Sequence, residues 1–134
     1  NGVNVIYTRT SDVYTSPAGK AAMANASGAD YFLSIHRNSS PYDNQYTGVE
    51  SLVYSKNGIA RTIAENINRE LTRVGFVNQG IQERPNLAVL RRTDMPAVLV
   101  EVGFINTDKD NIRFDTQFQE IARAIATGLL KSIS

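Results

Sequence analysis

The segment Ala97–Phe104, with the sequence AVLVEVGF, constrains the fold of this chain more than any other feature. Glu101 is its one ionisable residue, and Met95 and Pro96 precede it. A continuous apolar run rich in β-branched residues is typical of a strand that is covered on both faces. The sequence therefore predicts a layered fold in which this strand is buried.

Alternating strand and helix patterns lie elsewhere along the chain. Further strands are predicted at residues 3–8, 31–36, 48–54 and 87–90. Helices are predicted at residues 18–27, 59–74 and 116–133, with Ser16, Pro17 and Asp115 at helix starts and Gly28 and Gly75 at helix ends. The first strand, helix and second strand predict a right-handed βαβ unit with parallel strands. We expect a single α/β domain, with a mostly parallel twisted sheet flanked by helices on both faces.

Composition excludes several classes of protein. The 134 residues suit one domain, and the absence of cysteine rules out disulfides, cysteine zinc sites and thiol nucleophiles. Fourteen basic and 13 acidic residues give a net charge of +1, so no electrostatic footprint for nucleic acid is present. No apolar stretch is long enough for a membrane span, and neither a P-loop nor a Gly-x-Ser-x-Gly motif occurs.

His36 is the only histidine of the chain. It ends a predicted strand and precedes the polar residues Arg37 and Asn38, which is where open α/β sheets place ligand sites. A site with two histidines is excluded within these residues. His36 is therefore either an ordinary polar side chain or one member of a site whose other nitrogen ligands lie outside this sequence.

Glu101 interrupts the apolar run, where an unpaired carboxylate is costly to bury. Either it pairs with an arginine or reaches solvent at the strand end, or it is held in a cleft for proton transfer or metal binding. Weaker candidates are Arg9, Asp12 and Glu50, which suit ordinary ion pairs or caps equally well. Tyr42 and Tyr46, in the polar loop at 37–47, have rings that suit stacking on a sugar.

Several segments together resemble the zinc-dependent N-acetylmuramoyl-L-alanine amidases of the amidase-3 family. The resemblance covers nearly the whole chain in the order of the family. Its most specific parts are Ser34-Ile35-His36-x-Asn38 and the run from Pro96 to Phe104. The segments are Thr8-Arg9-Thr10-x-Asp12, Ala29-Asp30-Tyr31-Phe32-Leu33-Ser34-Ile35-His36-x-Asn38, Gly48-Val49-Glu50 and Leu87-x-Val89-Leu90-Arg91-x-Thr93-x-Met95-Pro96 followed by Ala97–Phe104.

The resemblance implies a zinc ion held by two histidines and a glutamate, with a further glutamate as general base. His36 matches the second zinc histidine and Glu101 the catalytic glutamate. The other ligands belong to a strand and a helix that precede this sequence, so residues 1–134 are expected to be an N-terminally incomplete catalytic domain. Asn38 and Glu50 are the next candidates, as substrate-binding residues. Lys20 stands where the family often has arginine.

The implied reaction is hydrolysis of the amide between N-acetylmuramic acid and the L-alanine of the stem peptide. A zinc cofactor, peptidoglycan as partner, a monomeric state and a secreted or cell-wall location follow from the same resemblance. A non-catalytic peptidoglycan-binding or regulatory domain is the main alternative. A different metal-dependent peptidase on the same fold is a third interpretation.

Overall fold

The computed structural model describes residues 2–134 of the chain. Within that range the chain forms four strands and five helices. In order they are α1 Pro17–Ser27, β1 Phe32–Asn38, β2 Val49–Val53, α2 Ile59–Val74, β3 Asn78–Glu83, α3 Ala88–Arg91, β4 Ala97–Phe104, α4 Asp108–Thr116 and α5 Phe118–Ile133. No helix among these residues is long and apolar enough to cross a membrane.

The four strands form one sheet in the order β1-β4-β2-β3. β1 pairs with β4 in parallel and β2 pairs with β3 in parallel, whereas β2 and β4 are antiparallel. The prediction of a mostly parallel α/β sheet is therefore confirmed. The apolar segment Ala97–Phe104 forms the inner strand β4, as its covered-strand pattern predicts.

Helices cover the two faces of β4. Val98, Val100 and Val102 are buried in a core cluster that contains residues of α2 and α5. Ala97 and Leu99 alternate with them and pack in a second cluster with Leu52 and residues of α3. Because side chains alternate along a strand, Glu101 belongs to the same face as Leu99.

Helix signals in the sequence predict the helix ends well. Ser16 caps α1, since its Oγ accepts a hydrogen bond from the Gly19 N–H at 3.0 Å. Gly28 ends α1 in the left-handed region with φ 68°. The predicted helix at residues 59–74 coincides with α2 and ends before Gly75.

The strand predicted at residues 3–8 is not formed, and with it the predicted βαβ unit is wrong. Residues 3–7 are exposed, and β1 pairs instead with β4. An alternating pattern makes a strand only where a neighbouring strand satisfies its backbone hydrogen bonds. The sheet formed within residues 2–134 consists of β1, β4, β2 and β3 and does not include this segment.

Two predictions in the second half of the chain need correction, and one strand there has no counterpart among the predicted elements. The strand predicted at residues 87–90 is the short helix α3, because the Leu90 and Arg91 amides bond back to the Leu87 carbonyl. The mainly polar segment Asn78–Glu83 forms β3. The predicted helix at 116–133 is preceded by a separate helix α4, which contains Asp115, so Gln117 occupies the cap position before α5 instead.

Candidate active site

Three ionisable side chains form a row across three strands of the sheet. In β1 and β4, His36 and Glu101 are register partners; in β2 and β4, Glu50 and Glu101 are register partners. Residues opposed in a ladder project from the same face of the sheet. The fold therefore brings Glu101 between the imidazole and the second carboxylate, all three on the face that also carries Leu99.

Glu101 is half-buried, and its Oε2 is fully buried without a hydrogen-bond partner. Burial raises the pKa of the Glu101 carboxyl, and the nearby Glu50 charge raises it further. Within residues 2–134 Glu101 forms no ion pair with an arginine, so that part of the ordinary interpretation of Glu101 is wrong. A carboxyl of raised pKa with a free buried oxygen suits proton transfer.

His36 is held against the sheet by its neighbour two residues earlier. Its Nε2 lies 2.9 Å from Ser34 Oγ, a contact that fixes the orientation of the ring. Partial desolvation lowers the pKa of His36, and the Lys20 charge lowers it further. The neutral imidazole is the form that binds a metal ion, so this environment suits a metal ligand.

Glu50 is held by a series of side-chain hydrogen bonds to residues in and just after β3. The Gln82 amide donates to Glu50 Oε2 at 2.5 Å, and the Arg84 guanidinium donates in turn to Gln82 Oε1. Gln82 and Arg84 escape sequence analysis, because they lie in and just after a polar strand that shows no clear pattern. In the pairing of β3 with β2, Gln82 lies opposite Leu52, and Glu50 is its diagonal neighbour on the same face.

The remaining candidates lie around this row or apart from it. Asn38 is the last residue of β1; its Oδ1 accepts from the Ser39 N–H at 2.9 Å. Arg37 reaches the Val102 carbonyl at 2.6 Å and is therefore a link between strands. Arg9 and Asp12 are exposed, and the Arg9 guanidinium bonds the nearby Val13 carbonyl. The geometry does not bring those two into the row.

The residues of the row match part of a zinc site. An imidazole and a carboxylate with an unpartnered oxygen are suitable donors for zinc. However, no group of three His, Asp or Glu side chains within residues 2–134 is arranged to hold a metal ion. The described residues thus fit one histidine ligand with a neighbouring carboxylate, and they fall short of the three protein ligands of a catalytic zinc.

The family model described as N-acetylmuramoyl-L-alanine amidase matches residues 1–131 of this sequence. The chain belongs to the N-acetylmuramoyl-L-alanine amidase family. A sporulation-specific member of Bacillus subtilis is 39% identical over an alignment of 132 positions, which covers 96% of this chain and 50% of that protein. A member of Bacillus licheniformis is 38% identical over an alignment of 136 positions, which covers 98% of this chain and 52% of that protein.

Solved structures of the amidase family have the same fold. The crystal structure of an N-acetylmuramoyl-L-alanine amidase from Clostridium difficile matches 98% of this chain and 72% of its own, with TM-score 0.89 and 32% identity. An amidase of Nostoc punctiforme matches 97% of this chain and 72% of its own, with TM-score 0.87 and 30% identity. The chain spans about half the length of the curated amidases it matches.

Proposed function

We propose that this chain is part of a peptidoglycan hydrolase that cleaves the amide between N-acetylmuramic acid and the L-alanine of the stem peptide. Membership of the amidase family supports the choice of bond. The observation that carries the catalytic assignment is Glu101, half-buried beside His36 with an unpartnered carboxylate oxygen. A carboxylate left without a donor is a cost to folding, and proton transfer gives a reason for it.

Glu101 is the proposed general base and acid. Its carboxylate takes a proton from the attacking water and delivers it to the nitrogen of the leaving L-alanine. Glu50, held by Gln82, lies beside Glu101 and raises the pKa of the Glu101 carboxyl, which favours its protonated form during that transfer. Asn38 and Glu50 are the proposed contacts to substrate, because they flank the row at the carboxyl end of β1 and on β2.

His36 is the proposed zinc ligand from this chain. The other protein ligands would come from residues outside 2–134 in the intact protein, as the resemblance implies for an N-terminally incomplete domain. Zinc, when bound, supplies a water of lowered pKa and polarises the scissile carbonyl. Ser34 fixes the imidazole ring, and the lowered pKa of His36 keeps it neutral and available as a ligand.

The cell wall is the proposed place of action. Relatives named as probable cell wall amidases in Staphylococcus aureus support it, at 31% identity over 130 residues. We propose secretion of the intact protein and a monomeric state, with peptidoglycan as the partner. A net charge of +1 gives no reason to expect nucleic acid as a partner.

Identification of the new chemical group on digested peptidoglycan tests the function. The intact protein with added zinc is expected to release peptides whose new free amine belongs to L-alanine, without new reducing sugars. A different metal-dependent peptidase would free another amine of the stem peptide. A non-catalytic peptidoglycan-binding domain would bind the walls and free none, and either result would contradict the proposal.

A further inference from the structure

The loop between β1 and β2 follows the site residues His36 and Asn38 directly. It spans residues 39–48 and leaves the sheet at the carboxyl end of β1, next to the end of β4, since the Ile105 N–H bonds the Asn38 carbonyl at 2.8 Å. Ligands of parallel sheets bind at this edge. The loop therefore borders the region where a substrate of Glu101 has to lie.

Polar contacts fasten this loop to the segment after β4. Ser40 and Asn106 bond reciprocally, with Ser40 N–H to Asn106 Oδ1 at 3.1 Å and Asn106 Nδ2 to the Ser40 carbonyl at 2.8 Å. The Asn44 N–H bonds the Asn106 carbonyl at 2.9 Å, and Asn44 Oδ1 accepts from the Asp108 N–H at 2.8 Å. At its far end Thr47 donates to the buried Asp110 at 2.6 Å. These contacts fix the loop backbone before any ligand binds.

Tyr42 stands at the outer part of this fixed loop with its ring in solvent. Its backbone carbonyl accepts from Ser40 Oγ at 2.9 Å and also from Asn106 Nδ2. Its side chain is nevertheless 73% exposed, so the ring contributes little to the core. Tyr46, 51% exposed, differs because its ring packs 6.0 Å from that of Phe104.

A fixed backbone that displays a tyrosine ring in water suits binding to the apolar face of a sugar. Tyrosine gives a large, rigid contact surface at a low cost in conformational entropy, and its hydroxyl stays available for hydrogen bonds. A loop that is already ordered loses little further freedom on binding. These properties match the glycan part of peptidoglycan better than its flexible stem peptide.

We propose that Tyr42 stacks on a sugar ring of the glycan strand and that Asn106 holds the loop in the binding conformation. The inference rests on the proposed function, because it names the part of the same substrate that this loop recognises. It assigns the glycan to the edge formed by residues 39–48. The stem peptide is then left to the region over Glu101 and Glu50.

Binding of a peptide-free oligosaccharide of alternating N-acetylglucosamine and N-acetylmuramic acid tests this inference in the intact protein. Tyr42→Ala is expected to weaken binding about three- to tenfold, the scale of one aromatic contact. Tyr42→Phe, which keeps the ring, is expected to stay within about twofold. Tyr54→Ala is the matched control. Tyr54 is 49% exposed and follows β2 beside the start of β4, at the end of the strands opposite to the loop.

The support from Asn106 gives a second, independent variant. Asn106→Ala is expected to weaken oligosaccharide binding while Tyr42 is intact, and to add little once Tyr42 is alanine, since both act on one contact. Equal affinity of Tyr42→Ala and the unmodified protein, or an equal loss in Tyr54→Ala, would overturn the inference. The oligosaccharide lacks a stem peptide, so this binding assay does not depend on amide hydrolysis. An intact protein that binds the oligosaccharide through Tyr42 yet frees no L-alanine amine would contradict the proposed function alone.

Discussion

Glu101 is the residue whose energetics connect fold and function. Its carboxylate lies opposite the Glu50 carboxylate across the β4–β2 ladder, and like charges directly opposed destabilise a sheet. The Gln82 amide stabilises Glu50, whereas Glu101 Oε2 has no hydrogen-bond donor. The fold thus retains a charge that opposes its own stability, which is common where a group is needed for chemistry.

The pH dependence of stability follows from the raised pKa of Glu101. Because the pKa in the folded state lies above the ordinary value of 4.5, the contribution of Glu101 to stability is largest below that value and is lost as pH rises through the folded-state pKa. Glu101→Gln removes the charge at nearly constant shape. We expect it to raise the free energy of unfolding by about 0.5 kcal/mol at pH 8, the scale of an opposed cross-strand pair.

Urea unfolding in the presence of a chelator measures this effect at two pH values. At pH 3 the gain is expected to vanish, because Glu101 is then protonated in both states. Glu120→Gln is the control; Glu120 is an exposed residue in the first turn of α5 and should change stability by less than half as much at either pH. A loss of stability in Glu101→Gln at pH 8 would contradict the assignment of an unpaired, costly charge.

At the scale of elements, one buried carboxylate joins α4 and β4 to the end of the loop that precedes β2. Asp110, with 0% exposure, accepts from the Thr47 hydroxyl at 2.6 Å, the Gly48 N–H at 3.0 Å and the Phe104 N–H at 2.8 Å. Gly103 allows this close approach: it has φ 74°, and an added Cβ would lie 3.0 Å from Asp110 Cβ. These contacts hold the start of β2 beside the last residue of β4, and they position the loop that carries Tyr42.

Loss of the Asp110 hydrogen bonds is expected to lower the free energy of unfolding by about 3 kcal/mol. Asp110→Ala leaves three buried or partly buried donors without their acceptor, at about 1–3 kcal/mol for each donor that water does not reach. Asp115→Ala, an exposed change in the same helix, is the control and should shift stability by less than about 0.5 kcal/mol. Equal stability of the two variants in thermal unfolding would argue against a structural role for Asp110.

Elements were predictable where burial gives a periodic signal. α2 and β4 follow from apolar patterns that the core in fact uses, because each buries its apolar residues. β3 is a polar strand of the sheet with Ile81 as its one apolar residue, so its sequence carries no strand pattern. Residues 3–8 show the reverse case, a strand pattern in a segment that the sheet formed within residues 2–134 does not include. Pairing decides strands, and pairing is not visible in a local sequence.

The candidate site was predictable in its two main residues. Glu101 stands out because it breaks an apolar run, and His36 because it ends a strand. That the two are register partners depends on the order β1-β4-β2-β3, which joins segments far apart in the chain. Gln82 and Asn106 act through contacts between such segments, so no local feature of the sequence identifies them.

At the scale of the whole molecule, two parallel pairs meet at the antiparallel β4–β2 ladder, with helices on both faces. This arrangement puts one proposed metal ligand and the proposed base on adjacent strands. The amidase family shares the fold, and the chain spans about half of its curated relatives. His36 and Glu101 therefore have different proposed roles within one site of the intact protein.

Zinc content and L-alanine amine release, measured side by side on His36→Ala and Glu101→Ala of the intact protein, test that division most directly. His36→Ala is expected to lose bound zinc together with hydrolysis, because it removes a ligand. Glu101→Ala is expected to keep zinc and to lose hydrolysis by about a hundredfold or more, the scale of a general base. Near-normal hydrolysis in Glu101→Ala, or full zinc content in His36→Ala, would contradict the account.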